Sequence, residues 1–309
     1  MAFPPVITRK DFGRPREREI VARGGSPPLI RRWMTCSIWV VAVLAVLPGT
    51  GSRSAVAETV RISGTSGAME TMRILGEAFR KAHPDTRIVL FQGMGSSGGI
   101  KATLAGHLDI GLSGRPLSGE ERARGLQETM YARTPFVFAV HRTVEITGLT
   151  LKDVVEIYAG KRDWENGKRI RLVLRPREDS DIRILKNMSP AMSAAVDIAL
   201  SRKGMIVATT DHDAADAIED VPGAFGGTTL ALVFSEKRAI RVLALDGVAP
   251  SVRTMIDRSY PYSKPFYMVT RNHPSDAVRR FMDFVGSPAG AAILSRNGQE
   301  AVRREGIVP

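Results

Sequence analysis

Three short segments place small hydroxyl residues and glycines directly after an apolar, strand-like run. They are Ser63-Gly64-Thr65-Ser66-Gly67, Gly93-Met94-Gly95-Ser96-Ser97-Gly98-Gly99 and Ser113-Gly114-Arg115-Pro116. In the first two a helical pattern follows at once. The free N–H groups at a helix start point outward and carry roughly half a positive charge. Glycine lets a ligand approach the backbone, and hydroxyls add donors that rotate to suit it. That chemistry fits a small, compact anion held mainly by neutral donors. Ordinary turns use the same residue types, so a single segment says little. Three in succession, joined by the arginine-bearing loop Arg175-Pro-Arg-Glu-Asp-Ser-Asp181, say more.

Neither glycine-rich stretch ends in Gly-Lys-Ser/Thr, and Ser63–Gly67 lacks the G-x-G-x-x-G spacing, which argues against a nucleotide. Gly95–Gly99 does match G-x-S-x-G. It puts Ser97 in the nucleophile position, with Asp246 and His273 following in the chain order of a hydrolase triad. The pattern arises easily in a chain with 29 glycines, and no His-Gly-Gly segment precedes it. A serine hydrolase using Ser97 is therefore the alternative reading. Asp211-His212-Asp213 with Asp216 offers oxygen and nitrogen ligands to a metal. Thr210 just before them instead makes a capped helix start, where acids favour the dipole. No metal site and no cofactor are expected.

The elements that must carry these loops alternate. Val60–Ile62, Arg87–Phe91 and Leu108–Leu112 read as short strands. Met69, Met72, Leu75, Ala78 and Phe79 recur at helical spacing, and a helix is predicted from Ile100 to about Ala105. Ser118-x-x-Glu121 has the spacing of a capping box. Such alternation gives α/β layers with a largely parallel sheet, whose carboxyl-end loops converge on one crevice. The pattern changes near Pro135–Val140. Beyond it, Thr150-Leu-Lys-Asp153 caps a helix that ends near Gly160. Ile170–Leu174, Met205–Ala208, Thr228–Val233, Val242–Leu245 and Phe266–Val269 read as strands, and Ala277–Val285 as a final helix. Residues 58–136 with 239–309 are expected to form one lobe, and 137–238 the other.

At 309 residues, 43% apolar and 25% charged, the chain has the composition of a core-forming protein and not of a disordered one. The net charge of +12 is unevenly spread: residues 1–57 hold nine Lys/Arg against three Asp/Glu, which is half the excess. The remainder is only mildly basic, and no nucleic acid is expected as a partner. Residues 1–57 read as a secretory signal, with a long basic segment ending at Arg31-Arg32, the apolar run Ile38–Leu47, and Ala55-Val56-Ala57 before Glu58. Ten apolar residues reach about 15 Å as a helix, roughly half a bilayer's hydrocarbon thickness. The single cysteine, Cys36, would leave with this leader.

The strings ISGTSGAMETMRILGEAF from Ile62 and FQGMGSSGGIKATLAGHLDIGLSGRPL from Phe91 resemble the periplasmic phosphate-binding proteins of ABC uptake systems. LTLKDVVEIYAGKRDW from Leu149, VLALDGVAPS from Val242 and YPYSKPFYMVTR from Tyr260 are similar to the same family, so the likeness covers nearly all of residues 59–300. It implies an α/β, two-lobed fold of the type II periplasmic-binding-protein kind, closing over an anion without catalysis. By the same resemblance, contacts come from Gly64, Thr65 and Ser66, from Gly95, Ser96, Ser97 and Gly98, from Ser113, Gly114 and Arg115, and from Arg175, Ser180 and Asp181. The ligand implied is inorganic phosphate or a similar oxyanion. The partners are ABC permease subunits of the inner membrane, the place is the periplasm, and the state is a monomer. An anion-sensing module without a transporter fits the same residues. Two departures stand out. The aspartate that usually accepts the ligand proton in the third loop is Gly114 here, and Asp179-Ser180-Asp181 replaces Ser-Gly-Thr in the second lobe. Asp181 is therefore expected to take the ligand proton, with Arg175 and Arg115 balancing the charge.

Overall fold

The computed structural model describes residues 58–302; the leader reading of residues 1–57 lies outside them. β1 (Glu58–Gly64) buries Val60 and Ile62 completely. A single 3-10 turn over Ser66–Ala68 leads into α1 (Met69–Ala82), which buries Met72, Leu75 and Phe79 at helical spacing. The helix stops at His83, because Pro84 cannot continue it. β2 (Thr86–Leu90), α2 (Gly95–Leu104), β3 (Ile110–Ser113) and α3 (Gly119–Ala123) follow. α2 begins at Gly95, five residues before the predicted start at Ile100. Glycine is a poor helix former, but packing requires it here: a methyl group at Gly99 would lie 2.8 Å from Gly64 Cα.

β4 (Leu126–His141) is 16 residues long. After it come β5 (Gly148–Leu149), α4 (Leu151–Ala159), β6 (Arg171–Leu174), α5 (Ser180–Met188), α6 (Pro190–Ser201), β7 (Ile206–Val207) and α7 (Asp211–Asp220). The Thr150 capping box opens α4 and Gly160, at φ 73°, closes it, as the sequence predicts. The predicted strand Thr228–Val233 is divided. β8 (Ala224–Thr229) ends where the Thr229 hydroxyl accepts from Leu232 N and starts α8 (Leu230–Glu236). The remaining elements are β9 (Ile240–Val242), β10 (Ala244–Leu245), α9 (Val252–Ile256), β11 (Ser263–Arg271), α10 (Asp276–Val285), α11 (Pro288–Arg296) and β12 (Glu300–Ala301).

The strands lie in the order β2-β1-β3-β11-β4-β8-β6-β7. β2-β1-β3 and β8-β6-β7 are parallel, and the middle of the path is antiparallel. β4 joins the two parallel arrays: residues 126–135 pair with β11, and 136–140 with β8. Among the described residues the two larger hydrophobic cores lie one on each side of this junction. One holds Ile62, Phe79, Leu112, Phe266 and Phe281; the other holds Phe136, Phe138, Tyr158, Phe225 and Tyr260. The sequence reading assigned residues 239–309 to the first lobe, but Leu243, Leu245 and Tyr260 lie in the second core. β9 is held there by pairing with Ala139–His141 of β4, so the chain returns to the first core only along β11. The carboxyl ends of β1, β2, β3, β6 and β7 each lead into a polar loop, which is where such sheets bind ligands.

Gly64 takes φ +147°, and a methyl group there would overlap the carbonyl oxygen of Leu112. Gly64→Ala is expected to destabilise the protein by about 1–3 kcal/mol through overpacking. Urea unfolding checks this, and an unshifted midpoint would show that the β1–β3 spacing is not as tight as described.

Candidate anion-binding site

The first loop is set by backbone bonds from Thr65 N to Leu112 O and from Met94 N to Gly64 O. It leaves the hydroxyls of Thr65 and Ser66 and the N–H of Gly67 aimed into a buried space at the start of α1. Asp211, from the first turn of α7, fills that space. Its Oδ2 accepts from Thr65 Oγ1 at 2.7 Å, Gly67 N at 2.9 Å and Ser66 Oγ at 3.4 Å. Ser66 Oγ in turn accepts from His212 N at 3.2 Å. Two helix starts thus meet with one carboxylate between them, and both positive poles favour its charge.

Lys264 reaches the same carboxylate from β11. Its side chain is fully buried, with Nζ 2.8 Å from Asp211 Oδ1 and 2.6 Å from Asp181 Oδ1. Arg175 closes the cluster. It donates to Ala208 O at 3.1 Å and to Asp179 Oδ2 at 2.8 Å, and lies 3.8 Å from Asp211 and 3.9 Å from Asp181. Asp179 is itself the cap of α5, accepting from Asp181 N at 2.9 Å. Three carboxylates therefore surround two cations. Gly114 makes this possible: a methyl group there would lie 2.6 Å from Lys264 Cε and 3.1 Å from Ser180 Oγ.

Burial pushes Asp181 up to about 7, with Asp211 and Asp179 adding to the rise and Lys264 and Arg175 opposing it. Burial acts in the same sense on Asp211, but Lys264, Arg175 and the hydrogen bonds from Lys264 and Gly67 hold it well below the usual carboxylate range. Burial alone would lower Lys264. Asp181, Asp211 and Asp179 outweigh it and keep the ammonium above its ordinary value, so it stays charged.

Of the residues singled out in the sequence, Thr65, Ser66, Gly114, Arg175, Ser180 and Asp181 meet around this cluster. Ser96 accepts from Gly114 N at 2.8 Å and so ties the second loop to the third. Gly64, Gly95 (φ +72°) and Gly98, which packs on Met94, shape the backbone. Ser113 is engaged within its own loop, donating to Arg115 O at 2.6 Å. Ser97 and Arg115 stand apart at the rim. The Arg115 guanidinium grips both oxygens of Glu121 at 2.8 Å and pulls that carboxyl down to about 2, and it meets Ser97 Oγ at 3.4 Å. The charge-balancing place expected for Arg115 is held by Lys264.

Sequence reading missed Lys264 and undervalued Asp211, and both had a signal. Lys264, Phe266 and Met268 alternate on the buried face of β11, so a period-2 reading puts a lysine in the core. Asp211 follows a fifth strand–polar loop–helix junction, the one after β7. Its neighbours are engaged elsewhere: His212 pairs with Glu236 at 2.6 Å, Asp213 accepts from Thr210 N in the capping box of α7, and Asp216 pairs with Arg238. Asp246, the candidate triad acid, accepts from Leu151 N at the start of α4.

A family model described as "PBP superfamily domain" matches residues 49–289. The phosphate-binding protein PstS of Borreliella burgdorferi is 22% identical over 249 residues, covering 77% of this chain and 89% of that protein. A proposed phosphate ABC transporter substrate-binding protein from Clostridium perfringens, solved with bound phosphate, superposes with a TM-score of 0.67 at 25% identity. The match spans 80% of this chain and all of the other. A phosphate-binding protein from Stenotrophomonas maltophilia gives 0.61 at 16% identity, over 80% of this chain and 91% of its own.

The raised Asp181 carries a pH signature. Its folded form keeps a proton that the unfolded chain has released between about pH 4 and pH 7. Its contribution to stability therefore falls as pH rises through that window and is level above it. Wild type should lose stability relative to Asp181→Asn from pH 4.5 to 7.5, measured by urea unfolding at constant ionic strength. Parallel profiles would show that Asp181 ionises as an ordinary carboxylate.

Proposed function

The chain belongs to the PBP superfamily, with its two-lobed α/β fold, and on that premise we propose that it is a non-enzymatic receptor for phosphate. It would be exported, act as a monomer in the periplasm, and deliver its ligand to an ABC permease. One observation carries the ligand class. The hydroxyl and backbone N–H at the start of α1, with the Lys264 ammonium from β11, already hold an oxyanion, the Asp211 carboxylate. Two oxygens of phosphate satisfy the same set, one on Thr65 Oγ1 and Gly67 N and one on Lys264 Nζ, with Arg175 and the Ser180 start of α5 opposite.

Discrimination from sulfate falls to Asp181. Near neutral pH phosphate carries a proton and sulfate carries none. An ionised, buried carboxylate accepts that proton, whereas against sulfate it leaves like charges unpaired, at a cost of several kcal/mol. Asp181 titrates near pH 7, so the phosphate-to-sulfate preference should rise between pH 6 and pH 8.5. Gly114 offers no side-chain acceptor, which leaves Asp181 as the acidic group facing the seat from α5.

Calorimetry with both anions tests the proposal. Thr65→Val should weaken phosphate binding about fivefold to a hundredfold, the equivalent of about 1–3 kcal/mol for one buried hydrogen bond. Asp181→Asn should weaken phosphate and relax the rejection of sulfate; an unchanged affinity ratio would remove Asp181 from the mechanism. Export is tested separately by sequencing the N-terminus of periplasmic protein, which should begin at or near Glu58.

A further inference from the structure

We propose that Asp211 is a tethered anion: its carboxylate occupies the ligand seat of the free protein, clasps the two lobes together, and must be displaced by the incoming phosphate, which then inherits Lys264. The proposal rests on the phosphate reading for its second half only. The clasp itself follows from the contacts already described.

Asp211 comes from the second lobe, while Thr65, Ser66 and Gly67 belong to the first, and Lys264 projects from the strand that returns to it. The carboxylate is therefore a bridge made of charge-assisted bonds, in a place where water does not compete: Asp211, Thr65 and Ser66 are all buried. A second bond across the same gap runs from His212 N to Ser66 Oγ.

Charge then requires an exchange. While Asp181 keeps its proton, the charges of Asp179 and Asp211 already balance those of Arg175 and Lys264. A phosphate dianion added to this set would leave several buried charges unpaired, which low-dielectric surroundings penalise heavily. With Asp211 withdrawn, the phosphate replaces one carboxylate on the same donors and finds Lys264 already charged. Withdrawal does not unravel α7, because the helix is capped by Thr210 and Asp213. Gly114 completes the device by leaving room for Lys264 to reach across.

Two variants and two readouts separate the parts. Asp211→Asn keeps the shape and removes the charge; Thr65→Val removes one bond of the clasp and one donor to the ligand. Residues 37–309 contain no cysteine, so spin labels at Lys101→Cys on α2 and Glu165→Cys in the second lobe report lobe separation in leader-free protein. Both variants should broaden and lengthen the distance distribution without phosphate. Calorimetry should split them, with phosphate affinity rising at least fivefold in Asp211→Asn and falling in Thr65→Val. Unchanged distances in both folded variants overturn the clasp, and weaker phosphate binding by Asp211→Asn overturns the competition. If wild type and Asp211→Asn both ignore phosphate, the phosphate reading and the exchange fall, and the distances alone decide the clasp. Circular dichroism establishes that each variant is folded; should Asp211→Asn fail, Asp211→Ser substitutes for it in both readouts.

Discussion

A lysine with no solvent access is the constraint around which this molecule is arranged. An ammonium taken out of water loses several kcal/mol of hydration and regains it only from well-placed carboxylates. Lys264 has two, Asp211 from α7 and Asp181 from α5, while its own backbone lies in β11. The second-lobe helices must therefore approach the return strand to within ion-pair distance. Removing either acid would leave a buried charge under-compensated. Gly114, Arg175 and the hydroxyls of the first loop all take positions that this group of charges permits.

The scaffold delivers those positions through one long strand. β4 passes from one hydrophobic core into the other without a break, pairing first with β11 and then with β8. Both parallel arrays thereby turn their carboxyl edges, and the helix starts that follow them, toward a shared cleft. Helix starts facing one another would repel were nothing between them; a negative group in the gap is what makes the convergence favourable. Here that group is the Asp211 carboxylate.

Membership of a binding-protein superfamily accounts for the architecture and for the glycine- and serine-rich loops. It does not account for the charge of this site. Where the resemblance leads one to expect an aspartate, Gly114 makes way for a cation, and acidic residues enter from α5 and α7 instead. Opposite charges remain in contact across the cleft, with Lys264 of β11 against Asp181 and Asp211. Arg115, freed from that duty, is held by Glu121 at the rim.

By itself the sequence determined the α/β alternation of the first half, the limits of helices such as α4 and α10, and the loops that gather at the cleft. These are local: Thr150 and Gly160 bound α4 by capping and left-handed geometry, and Pro84 ends α1, wherever the segments go in space. It also indicated Thr65, Ser66, Arg175 and Asp181, because hydroxyl–glycine loops recur at three successive strand ends and the family resemblance adds the arginine-bearing fourth loop to them. Tertiary structure decided the rest. α2 starts at Gly95 because close packing on Gly64 outweighs glycine's poor helix propensity. Residues 240–262 join the second core because β9 pairs with β4, a contact about a hundred residues apart along the chain. Asp211 looked like an ordinary dipole-favouring acid, and it is one; that it also faces Thr65, 146 residues away, depends on how two lobes meet. Charges act through space with no regard for sequence separation, and no local pattern records which of them will be neighbours.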